Sequence, residues 1–527
     1  MADAIVIGAG HNGLVAANLL ADAGREVLVL EEQPEPGGAV RSGEVTLPGY
    51  RHDRFSSFYP LGVASPVMRS MELERFGVRW RRHPIAVAHP GPDGLAAYVS
   101  GDPDETRASL DAFAAGDGDR FARWMEYWHR VGPRLLDALF SPFPPLRGGA
   151  RLAAVLGPRG LLEFGRLGML SVRRFGEEEF RGEGARRLFA GNALHADFMP
   201  ESPGSAVYGL VLCGLAAEHG YPIPEGGGGA ITDALVRRLG ARARLECGVR
   251  VERILVRGGR AAAVRTADGR ELEADAIVGA IDAPQLLGEL VGAERLPETT
   301  RRGLERFQWD NSTVKLDFAL SGPIPWTAPG TERAGTVHVA DSVDALTEAT
   351  AQLSRGLVPR RPFLVAGQYT RADPTRAPAG AEVFWAYTHV PREVRGDAGA
   401  DGLTGSWDAR EAELIGERMT DEVERLAPGF RALVRDRRIT TPHELQEQDR
   451  SLDRGSINGG TAQLWQQLVW RPTPGLARPE TAVPGLYLGS SSAHPGGGVH
   501  GAAGANAARA VLRTRRLDML RRPLIRR

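Results

Sequence analysis

The sequence predicts an α/β chain: a doubly wound domain, discontinuous in sequence, with an inserted domain of mixed sheet and helices. Three observations carry that expectation. Residues 3–32 read as strand, glycine turn, helix and strand; three strands at hairpin spacing lie between 250 and 278; and strand, glycine turn and helix return after 484. At 527 residues the chain exceeds one ordinary core, so more than one domain is expected.

The elements follow in order. Ala4 to Ile7 is an apolar strand, His11 to Ala23 an Ala- and Leu-rich helix, and Glu26 to Glu31 a second strand. From about 60 to 220 the pattern is mostly helical and arginine-rich, broken by Pro and Gly clusters such as Ser141 to Pro145. Arg250–Val256, Ala261–Arg265 and Glu271–Val278 alternate as strands around Gly258-Gly259 and Asp268-Gly269 turns. Between 290 and 455, helices mix with strands at Thr313–Leu320 and Glu382–Val390. The end returns to a strand at Gly485–Gly489, a glycine run, and a helix from about Val499 to Leu512. Residues 1–80, 222–290 and 456–512 thus compose the first domain, 81–221 and 291–455 the second, and 513–527 a basic tail.

Composition excludes several function classes. Lys+Arg and Asp+Glu are equal at 65, so no net field draws the molecule to nucleic acid. The two cysteines, Cys213 and Cys247, lack metal-ligand spacing, and no metal is expected. No leader is evident and no uncharged apolar run reaches about 18 residues, which predicts a cytoplasmic protein without a spanning helix. Every basic position is arginine except Lys315. Arginine stays protonated whereas lysine is a compact ammonium that can lose its proton, so the surviving lysine is a candidate for a task arginine cannot perform.

Gly8-Ala9-Gly10-His11-Asn12-Gly13 is a G-x-G-x-x-G pattern in its required place, after an apolar strand and opening a helix. Gly8 permits the tight turn, Gly10 the approach of a pyrophosphate, and Gly13 close packing of helix on strand, while the helix N-terminus favours the phosphates. Glu31 ends the second strand at about the 20-residue interval expected of a ribose-binding carboxylate, with Glu32 as the alternative.

Pro36-Gly37-Gly38-Ala39-Val40-Arg41-Ser42 follows, and here the sequence resembles the amine oxidase and phytoene desaturase superfamily. Pro48–Asp53, Tyr221–Gly227, Val251 with Ile254, Pro484–Gly489 and His494–Val499 fall in the order typical of phytoene-desaturase-like proteins. The resemblance implies a Rossmann-type FAD-binding domain and noncovalent FAD, with His52 and His494 as alternative attachment points. It further implies that Gly37 and Gly38 pass the diphosphate, that Arg41 helps hold it, that Val251 meets the adenine, and that Gly497, Gly498 and Val499 approach the flavin. Asn12 and Gly489 complete the implied cofactor set.

Alternation in Ser312–Leu320 puts Lys315 on a polar face with Thr313 and Asp317, opposite Val314, Leu316 and Phe318. Two readings stand: a solvated lysine paired with Asp317, or, from similarity to the amine oxidase strand, a catalytic lysine that orders a water beside flavin N5. His195, Asp197, Tyr208, Trp385, Tyr387, His389, Trp465 and Trp470 are possible groove residues for a small hydrophobic substrate. Leu135–Phe175 and the tail from Arg513 mix apolar residues with arginine and suit either solvent or peripheral contact with the inner face of a membrane. The family expectation is hydride removal from a hydrophobic, isoprenoid or carotenoid-like substrate. A flavin-dependent amine or alcohol oxidase producing peroxide is the alternative enzyme, and a lipid-binding escort protein on the same fold is the alternative of another class. Oligomeric state has no signature in the sequence.

Overall fold

The computed structural model describes residues 2–521, with side-chain environments through residue 514. A seven-stranded sheet forms around the N-terminal strand Ala2–Ile7, which pairs in parallel with Val27–Glu31 on one side and Glu271–Gly279 on the other. Glu271–Gly279 is long enough to serve two partners. Its first half pairs antiparallel with Arg260–Thr266, and its second half runs parallel to both Ala2–Ile7 and Leu486–Leu488. Ala243–Cys247 closes one edge beside Val27–Glu31, and Val251–Arg257 closes the other. The sheet is therefore stitched from the start, middle and end of the chain, the Rossmann-type arrangement with hairpin strands that the sequence predicted.

A second seven-stranded sheet runs in the order Val434–Thr440, Ser312–Leu320, Glu382–Val390, Leu364–Gln368, Ala334–Val339, Ile85–Pro90, Ala96–Ser100. Val314, Leu316 and Phe318 point from it into a core shared with Ile415, Met419 and Val423 of the helix Ala409–Leu426. The opposite face, bearing Thr313 and Lys315, looks back toward the first sheet across a cavity. Helices Asp117–Leu139, Leu146–Met169, Glu183–Ala193 and Ser205–His219 cover that side, the second of them broken at Gly157.

Two expectations need correction. The interval 60–220 is not all helical: Ile85–Pro90 and Ala96–Ser100 are strands. All six residues of Ile85–Pro90 are buried, so the in-out alternation that reveals a strand is absent. The last helix spans Ala502–Arg521, starting three residues later and ending nine later than expected, because Gly501 at φ +68° holds the turn before it. The predicted tail is thus helical through Arg521, and its remaining residues, with the side chains of Leu517, Met519, Leu520, Leu524 and Ile525, lie outside those described.

Candidate active site

The site begins where Ala2–Ile7 stops. Gly8 turns the chain at φ +93°, and the helix His11–Asp22 starts from Gly10 with no side-chain cap, leaving its first amides available to an anion. A Cβ at position 13 would overlap the carbonyl oxygen of Gly8, so glycine is required there for the helix to lie on the strand end. The second glycine turn presses against the first: Gly37 N donates to Ala9 O at 2.9 Å, and a Cβ on Gly38 would stand 3.2 Å from Gly10 Cα.

Glu31 reaches this turn from the next strand. Its Oε2 accepts from Ala9 N at 2.7 Å and its Oε1 from Gln33 N at 2.9 Å, and burial raises its carboxyl while these amides hold it down. Val249 N donates to Glu31 O at 2.8 Å, which brings Val249 and Val251 beside the carboxylate.

From these residues a continuous cavity of about 630 Å³ runs between the two sheets. Gly8, Gly10, Asn12, Glu31, Gly38 and Val251 line one end; Gly497, Gly498, Val499 and Lys315 line it further on. Gly13, Gly37, Arg41 and Gly489, also expected at the cofactor, do not form its wall. Arg41 Nε donates to Gly38 O at 2.9 Å and its Nη2 to Gln448 O at 2.8 Å, so it braces the glycine turn from behind. Gly489 permits packing of strand end on last helix, where a Cβ would stand 3.1 Å from Ala507 Cβ and from Val278 Cγ1.

Lys315 is buried at 3% exposure, which removes the solvated reading, and its Nζ pairs with Asp317 Oδ1. Burial pushes the Asp317 carboxyl up and the lysine ammonium draws it back. His52 Nδ1 stands 3.6 Å from the same Asp317 oxygen, its ring lowered to about 3 by burial and therefore uncharged at neutral pH. Phe58, Trp385 and Tyr387 form a stack on the wall, with Phe58–Trp385 centroids 6.3 Å and Trp385–Tyr387 centroids 6.2 Å apart. Of the possible groove residues, His195, Tyr208, Trp385 and Tyr387 line the cavity; Asp197, His389, Trp465 and Trp470 do not. Asp197 is used internally, accepting from Ala462 N at 2.7 Å, while Trp465 and Trp470 lie exposed on the surface.

Sequence reasoning missed several wall residues. Asn458 lies against Gly497, Arg471 against Gly496, and Gln448–Ser451 closes over Gly38 and Glu31. Arg471 is fully buried and donates to the carbonyls of Thr461, Asn458 and Ser491 at 2.8 Å each. None sits in a motif; they stand on loop backbone whose path has no sequence signal.

The residues present fit a dinucleotide. Buried His11 Nε2 and Asn458 Nδ2, both of residues on the wall, have no partner in the protein, and a bound redox cofactor would supply partners for them. Neither His52 nor His494 lines the cavity, and among the described residues no group of three or more His, Cys, Asp or Glu could hold a metal.

A cavity that binds phosphates at one end and is walled by aromatic and aliphatic side chains at the other is the seat of a dinucleotide redox cofactor, which places the chain among the oxidoreductases. The family model for flavin containing amine oxidoreductases matches residues 13–512. The chain belongs to that family as a phytoene-desaturase-like member, and its cofactor is FAD. It is 29% identical to the pyridine nucleotide-disulfide oxidoreductase domain-containing protein 2 of Rattus norvegicus, covering 97% of this chain and 93% of that one. Against the hydroxyneurosporene desaturase of Cereibacter sphaeroides it is 30% identical over 96% of this chain and 97% of that one. Among solved structures, cyclohexylamine oxidase from Brevibacterium oxydans has the same fold, with a TM-score of 0.59 and 17% identity over 97% of this chain and 98% of that one. Cys213 and Cys247 are both free thiols here.

Proposed function

We propose that this flavin oxidoreductase removes hydride from a hydrophobic substrate of isoprenoid character. The supporting observation is the distribution of charge in the cavity. Its lining carboxylates, Glu31, Glu32 and Asp449, all stand beside the glycine turns, and none of the lining residues around Lys315, Phe58 and Trp385 is acidic. A substrate ammonium would be buried there without a counter-ion, which is costly, whereas an alkene or alcohol pays no such penalty.

Bound FAD supplies the hydride acceptor. The glycine turns and the first turn of His11–Asp22 would hold its diphosphate, Glu31 its ribose, and Gly497–Val499 its ring system. Phe58 lies nearly parallel to Tyr221 at 4.9 Å and to Trp385 at 6.3 Å, a wall that orients a flat or extended apolar chain and excludes water. Lys315 Nζ, held by Asp317, places an N–H donor at the cavity wall. The similarity to amine oxidases and the buried Lys315 favour a second reading, an oxidase of neutral or aromatic amines. Anaerobic titration of the yellow protein with a lipid extract and with simple amines decides between them: bleaching by the lipid fraction alone supports the first reading, and bleaching by amines with stoichiometric peroxide on aeration overturns it.

We further infer that the cavity mouth meets an anionic lipid surface. No described helix is long and apolar enough to cross a membrane. The broken helix Leu146–Met169 nevertheless exposes Leu146, Leu162 and Met169 at 70% or more (76%, 78% and 71%), beside Arg147, Arg151, Arg159 and Arg166. Phe164 and Gly168 of the same helix line the cavity, so one helix carries both cavity wall and exposed apolar and arginine side chains, Arg159 and Arg166 being paired with Glu163 and Glu178. Sedimentation with anionic liposomes at low salt is expected, and a Leu162→Glu, Met169→Glu variant is expected to stay in the supernatant. Wild-type protein that remains unbound excludes the contact.

A further inference from the structure

His195 is a polar group on an otherwise aromatic stretch of cavity wall, its ring edge-on to Phe58 at 5.6 Å. Its Nε2 stands 2.6 Å from Nε2 of His338, so one proton lies between the two rings. Which ring owns that proton is decided on the far side of His338. There Nδ1 is buried without a hydrogen-bond partner and packs on Gly191, where a Cβ would overlap it. A ring lone pair can face a Cα–H at little cost, but an N–H in the same place would be a buried donor with no acceptor. His338 therefore carries its proton on Nε2 and donates it to His195.

The consequence passes to the other side of His195. Burial lowers its ring to about 3, so at physiological pH it is neutral and holds a single proton, which Nε2 has no room for. That proton sits on Nδ1, and no described residue accepts from Nδ1. We infer that His195 Nδ1–H is a fixed hydrogen-bond donor for an oxygen atom of the substrate, a hydroxyl, carbonyl or ether on an extended apolar chain, and that His338 and Gly191 position it. The substrate class is then an oxygenated hydrophobe instead of a plain hydrocarbon. This rests on the reading of an apolar substrate given above and narrows it.

Two further features agree. Hydrophobic cavities cannot strongly select between apolar chains of one size, while a buried donor left unpaired penalises the analogue that lacks the acceptor. His338 is also walled by Phe363 and His89, at 5.6 Å each, and His89 Nε2 is itself tied to Ala340 O at 3.0 Å. The pair is thus set in a rigid frame, as a specificity device requires.

The test compares equilibrium binding of farnesal and farnesene, an aldehyde and a hydrocarbon of equal carbon number, to the FAD-loaded protein by the perturbation of its flavin absorbance. Wild type is expected to bind farnesal about tenfold more tightly. His195→Phe is expected to bring the two affinities within about threefold of one another, and His195→Gln, which keeps an N–H donor, to retain the preference. Equal binding of both probes by wild type overturns the inference while leaving the apolar-substrate reading intact, as does a preference that survives in His195→Phe at full flavin content. Failure of wild type to bind either probe overturns the apolar-substrate reading and this inference with it.

Discussion

Lys315 shows how one side chain acquires a meaning from its surroundings. Alternation in Ser312–Leu320 assigns it to the face opposite Val314, Leu316 and Phe318, and the structure agrees. Whether that face meets water or a cavity is decided by Phe58, Gly497 and Val499, which arrive from both ends of the chain and leave no mark on the strand itself. Replacing Lys315 by Met removes the nitrogen held at the wall and strands Asp317 in a buried site. Asp317→Asn in combination relieves that charge, so the double variant separates the two effects. The expected result, in both variants, is at least a tenfold fall, roughly, in flavin reduction or reoxidation measured by stopped flow. Unchanged rates in both half-reactions would remove Lys315 from the chemistry. Arg41 shows the opposite case: the family resemblance implied a diphosphate contact, yet its guanidinium is engaged by the carbonyls of Gly38 and Gln448.

At the scale of elements, the legible parts of the fold were those with a strong local period or an obligatory glycine. The opening strand, turn, helix and strand, and the three hairpin-spaced strands, are of this kind. Ile85–Pro90 was illegible because a strand buried on both faces has no alternation. The segment 445–452, which the sequence assigned to the substrate side, reaches the glycine turns through a loop whose path depends on tertiary contacts alone. The helix pair His11–Asp22 and Ala502–Arg521 gives a sharp test. They meet where a Cβ on Gly504 would overlap the carbonyl oxygen of Asn12. Gly504→Ala must spread the helices and tilt the phosphate-binding turn, an overpacking cost of about 1–3 kcal/mol. The expected variant has a lower melting temperature and a reduced flavin-to-protein absorbance ratio; retention of both at wild-type values would show that the contact relaxes freely.

The whole molecule carries an unusual store of buried histidine, and this governs its response to pH. Burial lowers His52, His89, His195 and His500 to about 3 and His11, His83 and His494 to about 4, so each is neutral in the fold. Unfolding lets each take a proton below its ordinary value of 6.5, so their stabilisation is complete above that pH and is lost as pH falls toward the folded values. Asp197 and Asp449, raised by burial to about 6, and Asp282, raised to about 7, act in the other direction. Their contribution is present below 3.8 and lost as pH rises through 6 to 7. The histidines outnumber the carboxylates, and the net expectation is a melting temperature that climbs from pH 5 to 6.5 and levels off near 7. Calorimetry at saturating FAD checks this, and a midpoint that falls across that interval would contradict it.

The seating of Leu486–Leu488 beside Glu271–Gly279, the strand that pairs with Ala2–Ile7, and of Ala502–Arg521 against the helix His11–Asp22 also sets the timing of maturation. A nascent chain on the ribosome holds its phosphate turn early, but the strand and glycine run that complete the pocket emerge several hundred residues after it. Until then the apolar wall is open to solvent and to other chains. Cofactor loading accordingly waits until those later segments have been made, and flavin supply at that moment bears on how much of the newly made protein escapes aggregation.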